Sequence, residues 1–288
     1  MIGIGFLGNC GNLSAAVGPY AIASGVFSPN CVSEDSQALT MRIWNSNTGK
    51  LIRTTFPVRE GVPQLEGGED EICIDGVEGA TSKVTMEYLQ PGGARTGKLF
   101  PTGNKRDSLI IHSDGSEISV TLFDCTNPTV YVRAEDLDMD PTLLPVNFPA
   151  ELLSRLERIR QGGATLMRLD PNVQAQPKIC IVAPAERYLT ITGEFVEADT
   201  IDLIVRAISM QQPHQAVPMT VAMATAAAAM SEATIVYEVS RRSHHGQICV
   251  GHPSGRLLVG ADMTEDGEVT AVKAFRTVRF LMKGDVFC

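Results

Sequence analysis

The strongest candidate for chemistry in this sequence is Cys10, which lies between two Gly-Asn pairs in the segment "GNCGN". The small apolar residues 13–24 that follow predict a helix, so Cys10 is expected just before the N-terminus of that helix. Free N–H groups and the helix dipole favour negative charge there, and a thiol in that position tends to be reactive. Glycine lets the backbone approach a bound molecule, and asparagine supplies hydrogen-bond donors and acceptors. The alternative interpretation is a tight turn with an incidental cysteine.

A second segment, "SMQQPHQAVPMTVAMATAAAAM", repeats this order of features. A predicted strand ends near Met210, a polar turn carries Pro213 and His214, and a helix of small residues begins near Pro218. Proline suits the first turn of a helix, and the Thr220 hydroxyl is expected beside the free N–H groups. A capping role and a substrate-binding role are equally expected for His214. If the two helix N-termini face each other, they form a shared anion site.

The elements that would position these residues predict an α+β protein. Residues 39–58 alternate apolar and polar side chains around a Ser-Asn-Thr-Gly corner, which predicts a hairpin, and further short strands follow. A helix is predicted from Pro149 and ended by Gly162 and Gly163, and residues 177–184 form an apolar strand. Two helices that are apolar on nearly every face must each be enclosed. The pattern therefore predicts two similar halves, each a curved sheet around one buried helix.

Composition excludes several classes of function. The chain of 288 residues has a net charge of −9 and no dense Lys/Arg run, which argues against nucleic acid or an anionic membrane as main partner. Its longest apolar run, residues 217–230, is short for a bilayer span, and the N-terminus lacks a basic secretory signal. Seven dispersed cysteines predict reduced thiols in the cytoplasm, and no histidine pattern predicts a metal site. Four cysteines are expected to be packing residues: Cys31, Cys73, Cys125 and Cys180.

Several motifs, in order along the chain, resemble the PrpF-type isomerases, a branch of the diaminopimelate epimerase-like fold. They are "GNCGNLSAAVGPYAI", "MRIWNSNTGK", "GGARTGKLFPTGN", "CTNPTVYV", "ISMQQPHQA" and "GHPSGRLLVGA". The resemblance implies two domains with an active site between them, over residues 1–115 and 116–275, with a C-terminal strand in 276–288 returning to the first domain. It also implies a double-bond shift in an unsaturated di- or tricarboxylic acid of the aconitate or methylaconitate class, without metal or organic cofactor.

The resemblance also assigns site residues. Cys10 is the expected catalytic residue for proton transfer, because a double-bond shift needs a base and an acid. The residues expected to bind substrate are Asn9, Gly11, Asn12, Asn127, Ser209, Met210, His214 and Thr220. His252 and Ser254 are expected to form a structural turn close to them.

Relatives carry a further N-terminal segment with a lysine expected to be the partner acid or base, and nothing in this sequence matches it. The first domain is therefore expected to be incomplete, and this chain is expected to bind anions with weak or absent turnover. Two alternatives stay open: a catalytically impaired remnant or subunit that binds organic acids, and a cofactor-independent epimerase or racemase. An epimerase or racemase of this kind requires another cysteine in the turn before the second helix, and that turn contains none. The expected partner is a small polycarboxylate, and a homodimer with a second copy of the chain is left open.

Overall fold

The computed structural model of the protein describes residues 9–27, 37–68, 70–111, 115–241, 246–282 and 284. Cys31 lies outside these residues. The helices are α1 Gly11–Ala23, α2 Ala150–Leu166, α3 Met219–Met230 and α4 Ile235–Val239. The strands are β1 Ala38–Asn45, β2 Lys50–Arg59, β3 Val62–Pro63, β4 Glu71–Cys73, β5 Ala80–Ser82, β6 Val84–Leu89, β7 Asp107–Ile111, β8 Ser116–Cys125, β9 Asn127–Arg133, β10 Lys178–Pro184, β11 Tyr188–Leu189, β12 Phe195–Val196, β13 Leu203–Ser209, β14 Gln212–Pro213, β15 Gln247–His252, β16 Gly255–Met263 and β17 Val269–Arg276. Short 3-10 turns lie at Glu135–Leu137, Pro145–Asn147 and Ala198–Thr200.

One continuous sheet organises the described residues. Its strand order is β1-β2-β6-β17-β16-β15-β13-β10-β9-β8-β7, with β3 paired to β2 and β14 paired to β13. Two pairs are parallel, β9 with β10 and β13 with β15, and the other neighbours on this path are antiparallel. The predicted hairpin is confirmed, since Asn45 pairs with Lys50 across the Ser-Asn-Thr-Gly corner. Strand β17 lies between β6 and β16 and so joins the early strands to the later ones.

Helix α3 is enclosed by this sheet. All of its residues from Met219 to Ala229 are buried, and it packs against β8, β9, β15, β16 and β17. The helix can be apolar on every face because none of its faces except the last turn meets water. The predicted α+β class, with a curved sheet around a central helix, is confirmed here.

Helix α1 is enclosed on one side only. It packs on β1, β2, β3 and β6, and Gly18 lies so close to β2 that a Cβ there would be 2.7 Å from Phe56 Cε1. Its other face leaves Leu13, Val17 and Tyr20 exposed. Among the described residues the sheet therefore covers one side of α1, and the expectation of an incomplete first domain stays a prediction.

Helix α2 packs on the opposite face of the sheet, where Leu156 and Ile159 are buried in a second apolar layer. The prediction that Gly162 and Gly163 end this helix is wrong, because α2 continues to Leu166. A Cβ on Gly163 would lie 2.5 Å from Val130 Cγ2 of β9. Gly163 allows close packing between the helix and the strand, and this packing compensates the poor helix propensity of glycine.

The strand that returns to the early part of the sheet is β17, which ends at Arg276 opposite Val84 of β6. The strand predicted after it, in residues 277–284, is absent from the described part of that range. The division into domains at residues 115 and 275 stays a prediction. Among the described residues, no helix combines the length and apolarity that a membrane crossing requires.

Candidate active site

Cys10 is the residue that caps the N-terminus of α1. Its backbone is extended, and its carbonyl accepts the first helical hydrogen bond, from Ser14 N at 3.0 Å. The Cys10 side chain is exposed and makes no capping hydrogen bond. The predicted position of the thiol, beside the free N–H groups of a helix, is confirmed.

The N-termini of α1 and α3 meet at Gly11. A Cβ on Gly11 would lie 2.5 Å from Met219 Cε and 3.4 Å from Thr220 Cγ2. Met219 and Thr220 form the first turn of α3, after Pro218 at its N-cap position. The two helix starts are therefore in contact, as the repeated pattern of turn and helix predicts.

Asn9 is held by three side chains. Its Oδ1 accepts hydrogen bonds from Ser14 Oγ at 2.9 Å and from Asn45 Nδ2 at 2.7 Å, while its Nδ2 donates to the Tyr88 hydroxyl. Burial raises the pKa of Tyr88 to about 12, so its hydroxyl keeps its proton at neutral pH. The second N–H of the Asn9 amide has no acceptor among the described residues, and the other bonds fix the segment that carries Cys10.

A cavity of about 280 Å³ opens beside this segment. It lies between the start of α1, the loop of residues 74–77, the β15–β16 turn and the end of β17. The polar residues that line it are Asn12, Asp75, His252, Ser254, Arg276 and Thr277. Val217 and Leu257 supply apolar wall.

The charges around the cavity are partly compensated. Asp75 accepts hydrogen bonds from Arg256, through the backbone N at 2.7 Å and through Nε at 3.3 Å. Arg276 donates from Nε to Asn12 Oδ1 at 3.1 Å, and no carboxylate of the described residues pairs with it. Burial lowers the pKa of Arg276 to about 10, which leaves it protonated at neutral pH. The lining is therefore cationic at Arg276.

His252 and Ser254 occupy the expected turn and also line the cavity. Ser254 N donates to His252 Nδ1 at 3.2 Å, and Ser254 Oγ donates to the carbonyl of Gln215 at 2.6 Å. Burial lowers the pKa of His252 to about 4, with a smaller contribution from nearby Arg206, so the ring is neutral at pH 7. Because Nδ1 accepts a hydrogen bond, the ring proton is on Nε2.

A second cluster lies where β10 begins and β13 ends. Lys178 Nζ donates to Ser209 Oγ at 2.5 Å, and burial lowers the pKa of Lys178. Burial also lowers the pKa of His214, with the Lys178 charge as the smaller cause, and His214 Nε2 is buried without a partner among the described residues. Met210, in a left-handed conformation with φ of 51°, is exposed at the turn that follows Ser209.

Asn127 joins this cluster to the start of α3. Its Oδ1 accepts from Gln176 Nε2 at 2.9 Å, and its neighbour Thr126 donates to the carbonyl of Thr220 at 2.7 Å. The structure thus brings Cys10, Gly11 and Thr220 together. Asn127 lies beside Thr220, and Ser209 and His214 surround Lys178.

Sequence reasoning missed Tyr88, Lys178 and Arg276. A lysine at the start of the apolar run "PKICIVAP" was a usable signal, because lysine is seldom buried without a partner. Arg276 gave no signal, since only the pairing of β17 with β6 brings it to Asn12. No group of three His, Cys, Asp or Glu side chains within the described ranges could hold a metal ion.

Comparison with known proteins agrees with this geometry. The family described as "PrpF protein" matches residues 3–288. A 2-methyl-aconitate isomerase from Shewanella oneidensis is 37% identical over 97% of this chain and 72% of its own length. The crystal structure of a methylitaconate-delta-isomerase superposes with a TM-score of 0.84 at 34% identity, covering 96% of this chain and 72% of that one.

A more distant structure shows the fold alone. A probable proline racemase from Agrobacterium radiobacter has a TM-score of 0.50 at 12% identity, with 94% of this chain and 68% of that chain covered. Together these similarities confirm the resemblance that the motifs indicate, the fold class and the isomerase class. The part played by each site residue stays a prediction.

Proposed function

Because this chain belongs to the PrpF family, we propose that it moves a carbon–carbon double bond in an unsaturated polycarboxylic acid, with Cys10 as the group that transfers the proton. The observation that carries this proposal is the exposed Cys10 at the N-terminus of α1, a terminus that contacts the start of α3 through Gly11. The N–H groups and dipole at a helix N-terminus favour a thiolate, which is the basic form.

The reaction needs one proton removed and one returned. The Cys10 thiolate takes a proton from the carbon next to the double bond, and the electron pair of that C–H bond spreads over the allylic system and into a carboxylate. The double bond re-forms one position along when a proton is added to the other terminal carbon of the allylic anion. Cys10 itself can return this proton, since the thiol formed in the first step lies on the same face of the substrate.

The free N–H groups at the two helix starts support the anionic intermediate. Negative charge that develops on a carboxylate oxygen is stabilised by fixed donors that need no reorganisation. Asn9 and Tyr88 hold Cys10 in place while this happens. The dispersed cysteines, with Cys125 and Cys180 unpaired and buried, support a cytoplasmic location for the reaction.

The substrates we propose are 2-methylaconitate, aconitate and methylitaconate. The support is the substrate named for the Shewanella oneidensis relative and for the similar crystal structure. A small cavity with one uncompensated arginine suits a short acid with several carboxylates.

Two-base epimerisation is a weaker candidate. It uses two acid–base groups on opposite faces of one carbon, and here the two helix starts carry Cys10 on one side and Pro218 and Met219 on the other. Neither Pro218 nor Met219 can transfer a proton.

Proton NMR in D₂O tests the proposal with 2-methylaconitate, aconitate and methylitaconate as substrates. The expected result is a shifted double bond, with deuterium entering the terminal carbons of the allylic unit whenever the Cys10 thiol exchanges its proton with D₂O before returning it. Cys10→Ser should lower the rate by roughly 10²-fold or more while binding persists. Cys73→Ser, which removes another exposed thiol, is the matched control and should keep the wild-type rate. An unchanged rate in Cys10→Ser would contradict the role of Cys10.

A further inference from the structure

Arg276 is the cationic side chain of the cavity whose charge no acidic side chain of the described residues compensates. It lies at the end of β17 and lines the cavity with Asn12 and His252. The other arginine near this wall, Arg256, is paired with Asp75. Arg276 is half-buried, and partial burial of a guanidinium without a carboxylate partner favours binding of an anion in that place.

The hydrogen bonds of Arg276 leave part of its guanidinium free. Nε donates to Asn12 Oδ1 and Nη1 donates to the carbonyl of Phe275 at 3.0 Å. Nη2 donates to no atom of the described residues. Arginine presents its N–H groups in a planar fork that matches a carboxylate.

Asn12 is oriented by the same contact. A guanidinium only donates, so the atom of Asn12 that receives its hydrogen bond must be the amide oxygen. The Asn12 amide nitrogen, with two N–H donors, then has no acceptor among the described residues. Asn12 follows Cys10 by two positions and lines the cavity, so these donors are available to a ligand there.

His252 adds a neutral donor. With Nδ1 occupied by Ser254 N, the ring carries its proton on Nε2. A buried neutral imidazole can donate to a carboxylate without adding a charge. The cavity therefore combines one fixed cation with neutral donors from Asn12 and His252, and Asp75 is already bound by Arg256.

We propose that Arg276, Asn12 and His252 form a subsite for one carboxylate of the substrate, the one remote from the carbon that loses its proton. The position of the reacting carbon relative to this subsite rests on the proposed isomerase function. The volume of the cavity limits the size of the ligand. About 280 Å³ is near the lower end of small-molecule sites, which suits a short acid. Arg276 thus favours tricarboxylates over dicarboxylates.

Binding of saturated acids tests the subsite without any turnover. The probes are propane-1,2,3-tricarboxylate and methylsuccinate, which have no double bond and differ by one terminal carboxylate, and calorimetry measures their affinity. Arg276→Gln should weaken binding of the tricarboxylate roughly ten- to a hundredfold, since a hydrogen bond to a charged group is lost, and change binding of methylsuccinate little. Arg276→Lys, which keeps the charge but not the fork, should fall between wild type and Arg276→Gln.

Lys273→Gln is the matched control, because it removes one positive charge from the same strand at a residue paired with Asp262. It should leave both affinities unchanged. Circular dichroism of each variant checks folding. If Arg276→Gln does not fold, the affinities of Arg276→Lys for the two acids test the subsite. Equal loss for both acids, or no loss for the tricarboxylate, overturns the subsite. A chain that binds these acids but exchanges no protons would contradict the isomerase function and leave the subsite standing.

Discussion

Gly11 at the start of α1 lies directly against Met219 at the start of α3, with room for no side chain between them. A Cβ on Gly11 would be 2.5 Å from Met219 Cε and 3.3 Å from Met219 Cβ. Met219 is itself buried, so its side chain cannot swing into solvent. This contact fixes the distance between the two helix N-termini that the proposed reaction uses.

Gly11→Ala should therefore separate the helix starts and lower the isomerisation rate at least tenfold, because small displacements of a reacting group are costly. The control is Gly18→Ala, where a Cβ would meet Phe56 Cε1 at 2.7 Å, two turns away from Cys10. Gly18→Ala should cost about 1–3 kcal/mol of unfolding free energy by overpacking. Its rate, measured well below its melting temperature, should stay closer to wild type than that of Gly11→Ala. The reverse order would contradict the prediction.

Asn9→Ala should lower kcat with a smaller effect on KM. The substitution removes the hydrogen bonds to Tyr88, Ser14 and Asn45 that hold the segment before Cys10. Tyr88→Phe removes only one of them and should have a weaker effect in the same direction. The rate of Cys10 alkylation, measured in parallel, should change in both variants. Asn104→Ala, in an exposed loop, is the control. It should change neither kcat nor the rate of Cys10 alkylation.

The thiols should differ in reactivity towards limiting iodoacetamide near neutral pH. Cys10 and Cys73 are exposed, whereas Cys125 and Cys180 are buried and burial raises the pKa of both. Cys10 should be labelled first, because α1 supplies N–H groups that favour its thiolate. Mass spectrometry of peptides locates the label. An inert Cys10, or labelling of Cys125 in the native protein, would contradict this order.

Stability should fall as pH falls from 7.5 to 5.5, in part through His252. Its pKa is about 4 in the folded protein against an ordinary 6.5, so the unfolded chain binds more protons between these values. Neutral His252 contributes fully to the free energy of unfolding above pH 6.5, and this contribution is lost by pH 4. About 1 kcal/mol of it should be lost between pH 7.5 and pH 5.5. Urea unfolding at the two pH values measures the change. His252→Asn should show a smaller difference between them than the wild type; an equal difference would contradict the assignment.

Gly162 and Gly163 provide a matched pair in α2. Gly163→Ala places a methyl 2.5 Å from Val130 Cγ2 of a buried strand and should cost about 1–3 kcal/mol of unfolding free energy. In Gly162→Ala the atoms nearest the new methyl all belong to the Leu109 side chain, with Cδ2 at 3.3 Å, and the gain in helix propensity should make the change nearly neutral. Thermal unfolding of the two variants measures the difference, and the melting temperature of Gly163→Ala should be the lower one. Equal melting temperatures would contradict the packing argument.

The sequence by itself predicted the two apolar helices, the cysteine at the start of the first and the hairpin of residues 39–58. These features depend on local chemistry: a turn of glycine and asparagine, a run of small residues, or alternation around a corner. It was wrong where tertiary packing overrides local preference. Gly163 lies within α2 because β9 leaves no room for a larger side chain, and Cys73, expected in the core, is exposed.

The tertiary structure alone decided which distant residues meet Cys10. Tyr88 is 79 positions away from its partner Asn9, and Arg276 is 264 positions away from Asn12. Such contacts arise from strand pairing, here β17 with β6, and a change of register by one residue would turn Arg276 to the other face of the sheet. Local sequence contains no information on that pairing, so the presence of Arg276 beside Asn12 in the cavity could be established only from the folded chain.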